Sequence, residues 1–568
     1  MSSRDQRMNA DREKACQGMK AAPHGTTPRR PSQQGGWREG MHRCVAVAGQ
    51  QQSAAATAFP LATDAALTIL HEGGNAIDAG VAAAWALCAC EPSASGLGGQ
   101  TILLLRLTDG GILIIDGHSH APAAASPRTM TAAQQRMGHR ATTVPSTPAV
   151  LDYAQRKYGT LTRARVMQPA IRIAEDGFEI TPFQHRQVRW VGAKLSGAAT
   201  ELFLRSGSPP PVGHLFRQPA LATTLRRLAS CGFEDFYTGA IARLIADDMR
   251  AHGGLVTEQD LAGCASPVER EPISVSYREH RIFTVPPPGG GVQLLLALQI
   301  LERLSLMGSP DFDWYETIAL TTSAVFRERE RSLSNLEELA LRSSGFALAD
   351  ERARQLAAEI ANPTGDRWHG PNVAEEQGDT THLSVSDRQG NVVLLTQSIQ
   401  SMFGAKVAHP KLGFLYNNYL CTCPRYPHPF GLAKNCQPRS NAAPTLVLRN
   451  ADDIPVPFLG LGSAGSRRII SSILQVVSRV IDCGQEVSEA IAAPRVHGLV
   501  GRKVWIERTE WSKMLIAKLR ERSREPVLKS HHHHAMGSVQ ALHFLSNGCV
   551  AGAADPRRDG TAATLPFC

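Results

Sequence analysis

The spacing of apolar and polar positions changes along this chain, and the change separates a helix-rich part from a strand-rich part. Before residue 378, apolar positions recur on one helical face between Pro60 and Leu70, and the segment from Ala76 to Cys90 is apolar nearly all round. After residue 378, short apolar runs are separated by glycine-containing turns, which predicts strands. The two patterns meet at residues 378–382.

The strand-rich part begins with a predicted β-hairpin. Residues 383–386 alternate Leu or Val with Ser, residues 387–390 read Asp-Arg-Gln-Gly, and the run from Asn391 to Ser398 is again apolar. A strand, a turn that contains glycine and a second strand account for this order. The same criteria predict helices in Pro148–Gly159, Thr162–Gly177, Val292–Leu301 and Ile469–Val480, and strands in Thr101–Leu107, Ile112–Asp116 and Phe458–Leu461.

Composition is typical of a large folded protein. Its 568 residues are too many for one ordinary domain, and a hydrophobic content of 43% can build a large core. The net charge of +9 is spread along the chain, so no nucleic-acid partner is predicted. The apolar helix from Ala76 to Cys90 contains Asp78 and is shorter than the roughly 20 residues that span a membrane, so no membrane association is predicted.

The first 44 residues are predicted to be a disordered leader, or to result from an assigned translation start that lies too far upstream. The first forty carry eight Lys or Arg against four Asp or Glu and have no periodic apolar positions. They also lack the apolar stretch of a secretory signal, so a cytoplasmic location is expected.

Three other features have structural explanations instead of a nucleotide or metal role. The glycines of Gly96–Gly99 precede a strand, and the loop Pro286–Gly291 is not followed by the Lys-Ser/Thr pair of a phosphate-binding loop. Cys421 and Cys423 lack a second pair or a His at zinc spacing, which predicts buried or idle thiols. The run His531–His534 has no Cys or carboxylate at ligand spacing and is predicted to be a solvated loop, so no metal and no cofactor are expected.

Several short motifs, spread from residue 73 to residue 556, are distinctive in combination. They are Gly73-Gly74-Asn75-Ala76-x-Asp78-Ala79, Glu91-Pro92, Ser95-Gly96-x-Gly98-Gly99, His252-Gly253-Gly254-Leu255, Asp379-Thr380-Thr381-His382, Gly462-Ser463-x-Gly465 and Ala553-Ala554-Asp555-Pro556. Together they resemble the γ-glutamyltranspeptidase family, whose precursors cut themselves before the Thr of the Asp-Thr-Thr-His motif. The resemblance covers the chain from about residue 45 to its end.

This resemblance implies the fold of the N-terminal-nucleophile hydrolases. That fold is α/β (α+β), a four-layer αββα sandwich formed by two autoprocessed fragments. The cleavage site would lie between Asp379 and Thr380, which gives a large-subunit part of residues 45–379 and a small-subunit part of residues 380–568 that starts at the nucleophile. The helix pattern before the junction and the strand pattern after it agree with this layered architecture.

Thr380 can supply both groups that an acyl transfer requires. If its hydroxyl attacks the carbonyl of Asp379, an N-to-O acyl shift and hydrolysis leave Thr380 as a new N-terminus. The released amine has a reference pKa of about 7.7 to 8.0, so it can accept the proton of its own hydroxyl near neutral pH. No separate His or Asp base is then required.

The resemblance also assigns the groups around this nucleophile. Thr396 and Ser398, on the paired strand, would face Thr380 and orient its hydroxyl. Backbone N–H groups of Gly465 and Ser466 would bind the oxyanion, and one such donor contributes roughly 2.7 to 4 kcal/mol. A tight turn between a strand and a helix is the alternative explanation of Gly465.

The substrate-contacting positions depart from the family's pattern. The family binds a γ-glutamyl α-carboxylate with an Arg, but His118 stands at that position and cannot form the same bidentate contact. The family's Asp partner of the substrate ammonium is also missing, because Thr422 stands there. By resemblance, the positions that contact the acyl group are His118, Gln400, Tyr419, Thr422, Ser440 and Asn441.

The sequence therefore predicts a self-processing N-terminal-threonine hydrolase or acyltransferase. It would cleave or transfer a γ-glutamyl-like acyl group from a small-molecule amide, with altered selectivity. One alternative is a family member recruited to natural-product (antibiotic) biosynthesis, which hydrolyses another carbonyl substrate, including carbon–carbon cleavage as in alkylproline pathways. A second alternative is a non-catalytic scaffold, which would have no need of Thr380, Thr396, Ser398 and Gly465.

Overall fold

The computed structural model describes residues 52–264, 267–304, 306, 308, 310–331, 346–362, 378–451 and 454–566. The predicted leader and residues 363–377 of the connection before the junction lie outside these ranges.

Helices are concentrated before the junction, as predicted. The described helices are α1 Pro60–His71, α2 Ala76–Cys90, α3 Thr147–Tyr158, α4 Arg163–Asp176, α5 Pro182–Val191, α6 Ala198–Phe203, α7 Pro219–Cys231, α8 Glu234–Tyr237, α9 Ala240–Ala251, α10 Glu258–Ala262, α11 Gly291–Leu301, α12 Phe312–Arg331, α13 Phe346–Ala361, α14 Arg468–Ile481, α15 Val487–Ala492 and α16 Ser512–Glu521. None of these helices is both long enough and apolar enough to cross a membrane.

Strands occur on both sides of the junction. They are β1 Ala54–Thr57, β2 Gln100–Arg106, β3 Ile112–Gly117, β4 Phe178–Glu179, β5 Leu215–Phe216, β6 Val268–Arg270, β7 Ile273–Tyr277, β8 His280–Thr284, β9 Gly378–Ser386, β10 Val392–Ser401, β11 Thr445–Ala451, β12 Ile454–Ala464, β13 Val496–Gly498, β14 Lys503–Glu507, β15 Glu525–Lys529, β16 Ser538–Phe544, β17 Val550–Ala554 and β18 Thr561–Thr564.

The predicted hairpin, β9 and β10, lies at the centre of a seven-stranded antiparallel sheet. The strand order is β18-β1-β9-β10-β2-β3-β6. Side chains alternate between the two faces of this sheet, so that Leu103 and Val393 pack against helices while Leu104 and Val392 point the other way. Both faces are therefore covered.

A second, six-stranded antiparallel sheet packs on the face opposite those helices. Its order is β17-β16-β12-β11-β8-β7. The core between the sheets contains Ile102, Leu104, Val392 and Leu394 of the first sheet, together with Leu446, Leu448, Leu542 and Phe544 of the second. The outer face of the second sheet packs on α11 and α14, and α12 packs against these two helices. Helix, sheet, sheet and helix thus form four layers, and the predicted αββα sandwich is confirmed.

The buried charge of Asp78 in the apolar helix α2 has a structural role. Asn75 accepts hydrogen bonds from the N–H groups of Ile77 and Asp78, and the Asp78 carboxylate accepts one from the N–H of Asn75. The same carboxylate accepts hydrogen bonds from the N–H and hydroxyl of Thr160. This capping box starts α2 at Ala76 and joins it to the end of α3.

Candidate active site

Thr380 lies opposite an irregularity in the central hairpin. Thr381 pairs with Gln397, but Asp379 pairs with Gln400, so two residues of β10 stand opposite Thr380. Such a β-bulge bends the strand and turns a side chain that would otherwise follow the regular alternation. The register of Thr381 and Gln397, continued by one residue, brings Ser398 opposite Thr380, and the extra residue of the bulge lets the pairing resume at Gln400.

The Ser398 hydroxyl connects the candidate nucleophile with the bond that it would attack. Thr380 Oγ1 donates a hydrogen bond to Ser398 Oγ at 3.1 Å, and Ser398 Oγ donates one to the carbonyl oxygen of Asp379 at 2.8 Å. The N–H of Gln400 donates to Ser398 Oγ at 2.9 Å and fixes its position. A donor on the Asp379 carbonyl would polarise it and stabilise the charge that develops during attack.

Thr396 lines the same small pocket as Thr380, but its hydrogen bond goes elsewhere. Its Oγ1 is 2.9 Å from Nδ1 of His382, whose Nε2 is 3.2 Å from the hydroxyl of Ser384. Burial lowers the pKa of His382 to about 3, which keeps the ring neutral. Gly462 of β12 permits this arrangement, because a Cβ there would lie 2.3 Å from the His382 ring.

A buried arginine holds the residues on both sides of the candidate cleavage site. Arg558 Nη1 donates to the backbone oxygen of Thr380 at 3.1 Å, and Nη2 lies 2.5 Å from the carboxylate of Asp379. Gln187 Nε2 donates to the other carboxylate oxygen at 3.1 Å. Glu91 lies 3.5 Å from Arg558. Burial raises the pKa of Glu91 to about 8, because Arg558 offsets the cost of burial only in part and Asp379 adds repulsion.

Sequence reasoning missed both Arg558 and Glu91 as parts of the site. Glu91 belongs to the Glu91-Pro92 motif, and Arg558 stands two residues after the Ala553-Ala554-Asp555-Pro556 motif. These two motifs lie more than 450 residues apart in the chain. A charged residue next to a distinctive motif was the available signal.

The turn at Gly465 and Ser466 packs against the segment that precedes Thr380. A Cβ on Gly378 would lie 2.7 Å from Cβ of Ser466. Both turn residues have positive φ, 122° and 56°, a region that glycine adopts freely and serine rarely. Their carbonyls accept the N–H groups of Arg468 and Ile469 at the start of α14. The turn therefore leads directly into α14 and lies beside Gly378, the residue before Asp379. Its role in binding an oxyanion stays a prediction.

Four of the six predicted acyl-contacting residues line one small pocket with Thr380. The described residues that line this pocket are Gln100, Ile102, Thr380, Thr396, Ser398, Gln400, Tyr419, Ser440, Asn441, Ala442, Ser466 and Ile469. No carboxylate and no cationic side chain is among them. Burial raises the pKa of the Tyr419 phenol, so Tyr419 stays a neutral hydrogen-bonding group. Arg329 of α12 does not line the pocket, but it donates a hydrogen bond to Oδ1 of Asn441 at 2.5 Å.

His118 and Thr422 are not among the residues that line this pocket. Nδ1 of His118 lies 2.6 Å from Asp116, whose other oxygen accepts a hydrogen bond from Arg270 at 2.6 Å. Burial opposes ionisation of Asp116, but these two partners hold its pKa well below the usual range. His118 lines a neighbouring cavity of about 260 Å³, and Thr422 donates to the backbone oxygen of Tyr419. Their substrate contacts stay predictions.

The His531–His534 run is only partly the solvated loop that was predicted, because His531 is exposed whereas His532, His533 and His534 are half-buried. His534 stacks on Trp190 with ring centroids 4.4 Å apart, and His532 Nε2 is 2.9 Å from the carbonyl of Ala492.

A different set of side chains, His139, Asp248 and His252, has ligand-type atoms within 4.8 Å of one another. Tyr416 donates to Asp248 there at 2.9 Å. This set lines a cavity of about 610 Å³ that shares no lining residue with the Thr380 pocket.

Comparisons with known proteins match most of this chain. A family model described as gamma-glutamyltranspeptidase matches residues 62–565. The glutathione hydrolase proenzyme of Escherichia coli K12 is 32% identical over 96% of this chain and 95% of its own length. The acylase ACY 1 proenzyme of Pseudomonas sp. strain V22 is 33% identical over 90% of this chain and 93% of its own.

A solved structure extends the comparison to three dimensions. The crystal structure of cephalosporin acylase from Bacillus halodurans superposes with a TM-score of 0.80 at 27% identity. The alignment covers 96% of this chain and 99% of that one.

Proposed function

Because this chain belongs to the γ-glutamyltranspeptidase family of hydrolases, we propose that it is a self-processing N-terminal-threonine amidohydrolase or acyltransferase whose acyl site does not require an α-amino acid. The observation that carries the proposal is the Ser398 hydroxyl, which contacts both Thr380 Oγ1 and the Asp379 carbonyl.

Self-cleavage follows from these contacts. Thr380 Oγ1 passes its proton through the Ser398 hydroxyl as it attacks the carbonyl carbon of Asp379, and a donor on the carbonyl oxygen stabilises the developing negative charge. The carbon–nitrogen bond then breaks, the nitrogen takes up the proton, and Asp379 becomes an ester of Thr380. Water hydrolyses the ester and releases the Asp379 carboxylate. The relatives named as proenzymes support processing of one precursor into two fragments.

The same groups serve turnover after cleavage. The new α-amine of Thr380 accepts the hydroxyl proton, and the hydroxyl attacks the carbonyl of a substrate amide. Arg558 retains its hydrogen bond to the Thr380 carbonyl, so the new N-terminus stays in position. An acyl-enzyme forms, and water or an amine then removes the acyl group.

The composition of the pocket supports a change in acyl selectivity. A γ-glutamyl group carries an ammonium and a carboxylate, and both need charged partners when they leave water. The described pocket-lining residues supply hydroxyl and amide groups but no carboxylate. Removal of the ammonium leaves one charged group instead of two without a charged partner in this lining, so a glutaryl-type chain, whose carboxylate can accept hydrogen bonds from hydroxyl and amide groups, suits it better than a γ-glutamyl chain.

Two chromogenic anilides test this selectivity. Glutaryl anilide and γ-glutamyl anilide differ only by the α-ammonium group, so the ratio of their kcat/KM values isolates the contribution of that group. We expect the processed protein to prefer the glutaryl compound. A preference for γ-glutamyl anilide by more than tenfold would overturn the proposed selectivity, while Thr380-dependent turnover of either compound would still support the reaction type.

The biosynthetic alternative requires a different substrate. A 2-oxo acid with a cleavable carbon–carbon bond belongs in the same screen, with the Thr380→Ala protein as the control. Turnover of that compound alone would favour the alternative over amide hydrolysis.

A further inference from the structure

Two cysteines that are thirteen positions apart meet beside the Thr380 pocket. Sγ of Cys423 and Sγ of Cys436 are 3.7 Å apart. A disulfide bond is about 2.0 Å long, so small side-chain rotations would bring the sulfur atoms to bonding distance. The sequence predicted idle thiols because it gave no sign that Cys436 returns to Cys423.

The segment between these cysteines is anchored at both ends. Cys423 packs in a small apolar cluster with Leu420 and Leu432, and Cys436 packs against the same cluster. The N–H of Leu432 donates to the carbonyl of Pro424 at 2.7 Å, and the N–H of Ala121 donates to the carbonyl of Cys436 at 2.8 Å. The two sulfur atoms therefore face each other in a packed setting.

This segment connects two walls of the candidate active site. Tyr419 and Ser440 both line the Thr380 pocket, and they lie four residues before Cys423 and four residues after Cys436. A covalent link between the cysteines would restrain the spacing of these two walls.

We propose that Cys423 and Cys436 are a thiol–disulfide modification site, whose disulfide ties the 423–436 segment closed beside the Thr380 pocket. Its co-reactant is a low-molecular-weight disulfide. This inference does not depend on the proposed amide chemistry.

The two thiols have unequal roles in this exchange. The hydrogen bond from Cys423 lowers the pKa of Cys436 to about 7, and Cys436 is the more exposed of the two. The Cys436 thiolate attacks the external disulfide, forms a mixed disulfide and releases one thiolate. Cys423 then loses its proton and attacks Sγ of Cys436, which expels the second thiol. The protein pair loses two electrons and the external disulfide gains them.

Mass spectrometry of the full-length chain tests the link directly. The protein is incubated with hydroxyethyl disulfide, which carries no amide bond, or with dithiothreitol, and free thiols are then blocked with N-ethylmaleimide before trypsin digestion. We expect peptides 412–425 and 435–439 to be joined after oxidation and separate after reduction. Fragment ions should place the maleimide on Cys421.

Variants distinguish this pair from its neighbour. Cys421→Ser should keep the cross-link, whereas Cys423→Ser and Cys436→Ser should lose it, and all three should be checked for native circular dichroism. In the oxidised wild type, the two products of cutting after Arg425 should stay joined on a non-reducing gel. Separate peptides in folded, oxidised wild type, or a link that passes through Cys421, would overturn the proposal.

Discussion

Ser398 Oγ accepts a hydrogen bond from Thr380 Oγ1 and donates one to the carbonyl of the preceding residue. One hydroxyl thus contacts the attacking atom and the oxygen on which negative charge develops. The regular register of β9 and β10 leads to this contact, because the step that follows the pair of Thr381 and Gln397 places Ser398 opposite Thr380.

The first prediction concerns this hydroxyl. Ser398→Ala should slow self-cleavage by about 10² to 10³-fold, the loss expected for one donor to an oxyanion. Wild type should yield pieces of 379 and 189 residues on a denaturing gel, and Thr380→Ala should stay one chain. Ser398→Thr, which keeps a hydroxyl, is the matched control and should still process. Equal processing rates in Ser398→Ala and wild type would refute this role for Ser398.

The second prediction concerns the buried charges around the cleavage site. Arg558→Gln should destabilise the uncut chain by about 3 to 5 kcal/mol, because Glu91 and Asp379 lose their partner in a buried setting. The measurement is urea unfolding in the Thr380→Ala background, which keeps all variants as one chain. Adding Glu91→Gln removes a buried carboxyl group whose ionisation Arg558 no longer supports, and should recover more than about 1 kcal/mol. Strictly additive losses would show that the two residues are not coupled.

The local pattern of the chain predicted the elements that carry Thr380. The alternation in residues 383–386 and the apolar run to Ser398 are properties of adjacent residues, and both became strands of one hairpin. The family motifs further selected Gln400, Tyr419, Ser440 and Asn441, which the structure brings to one pocket.

The features that sequence reasoning missed depend on distant parts of the chain. Arg558 lies in the connection between β17 and β18. Since β18 pairs with β1, beside β9, this topology places Arg558 against Asp379. The bulge at Ser398 and the contact of Cys423 with Cys436 likewise have no periodic signal. The cytoplasmic location and the two-fragment boundaries stay predictions.

The third prediction is a pH dependence of stability that comes from His382. Its pKa is about 3 in the folded chain, against about 6.5 for an ordinary histidine, so the unfolded state binds more protons between these values. The contribution is fully present above about pH 6.5 and is lost as the pH falls toward 3. Between these limits the free energy of unfolding should decrease by up to about 1.4 kcal/mol per pH unit from this residue.

Replacement of His382 tests this dependence. In the Thr380→Ala background, His382→Gln should reduce the slope of the unfolding free energy against pH between pH 6.5 and 4.5. The reduction should reach up to about 1.4 kcal/mol per pH unit, the value for one bound proton. His71→Gln, at an exposed position on α1, is the control. Identical slopes in His382→Gln and its parent would show that His382 is not held neutral by burial.

The last prediction concerns position 118, where the chain departs from the family's arginine. His118→Arg should improve kcat/KM for γ-glutamyl anilide relative to a plain acyl anilide that has no carboxylate, because a guanidinium can hold a carboxylate through two hydrogen bonds. The gain should reach at most about tenfold, which corresponds to about 1.4 kcal/mol. Two features limit this gain. Asp116 now binds His118 and would compete for the new guanidinium, and the described pocket residues still offer no charged partner for the ammonium.

His118→Lys is the control variant, because it restores the positive charge without the bidentate geometry, and it should gain less. If wild type already prefers γ-glutamyl anilide, or if Lys and Arg at this position act alike, carboxylate recognition through residue 118 is refuted.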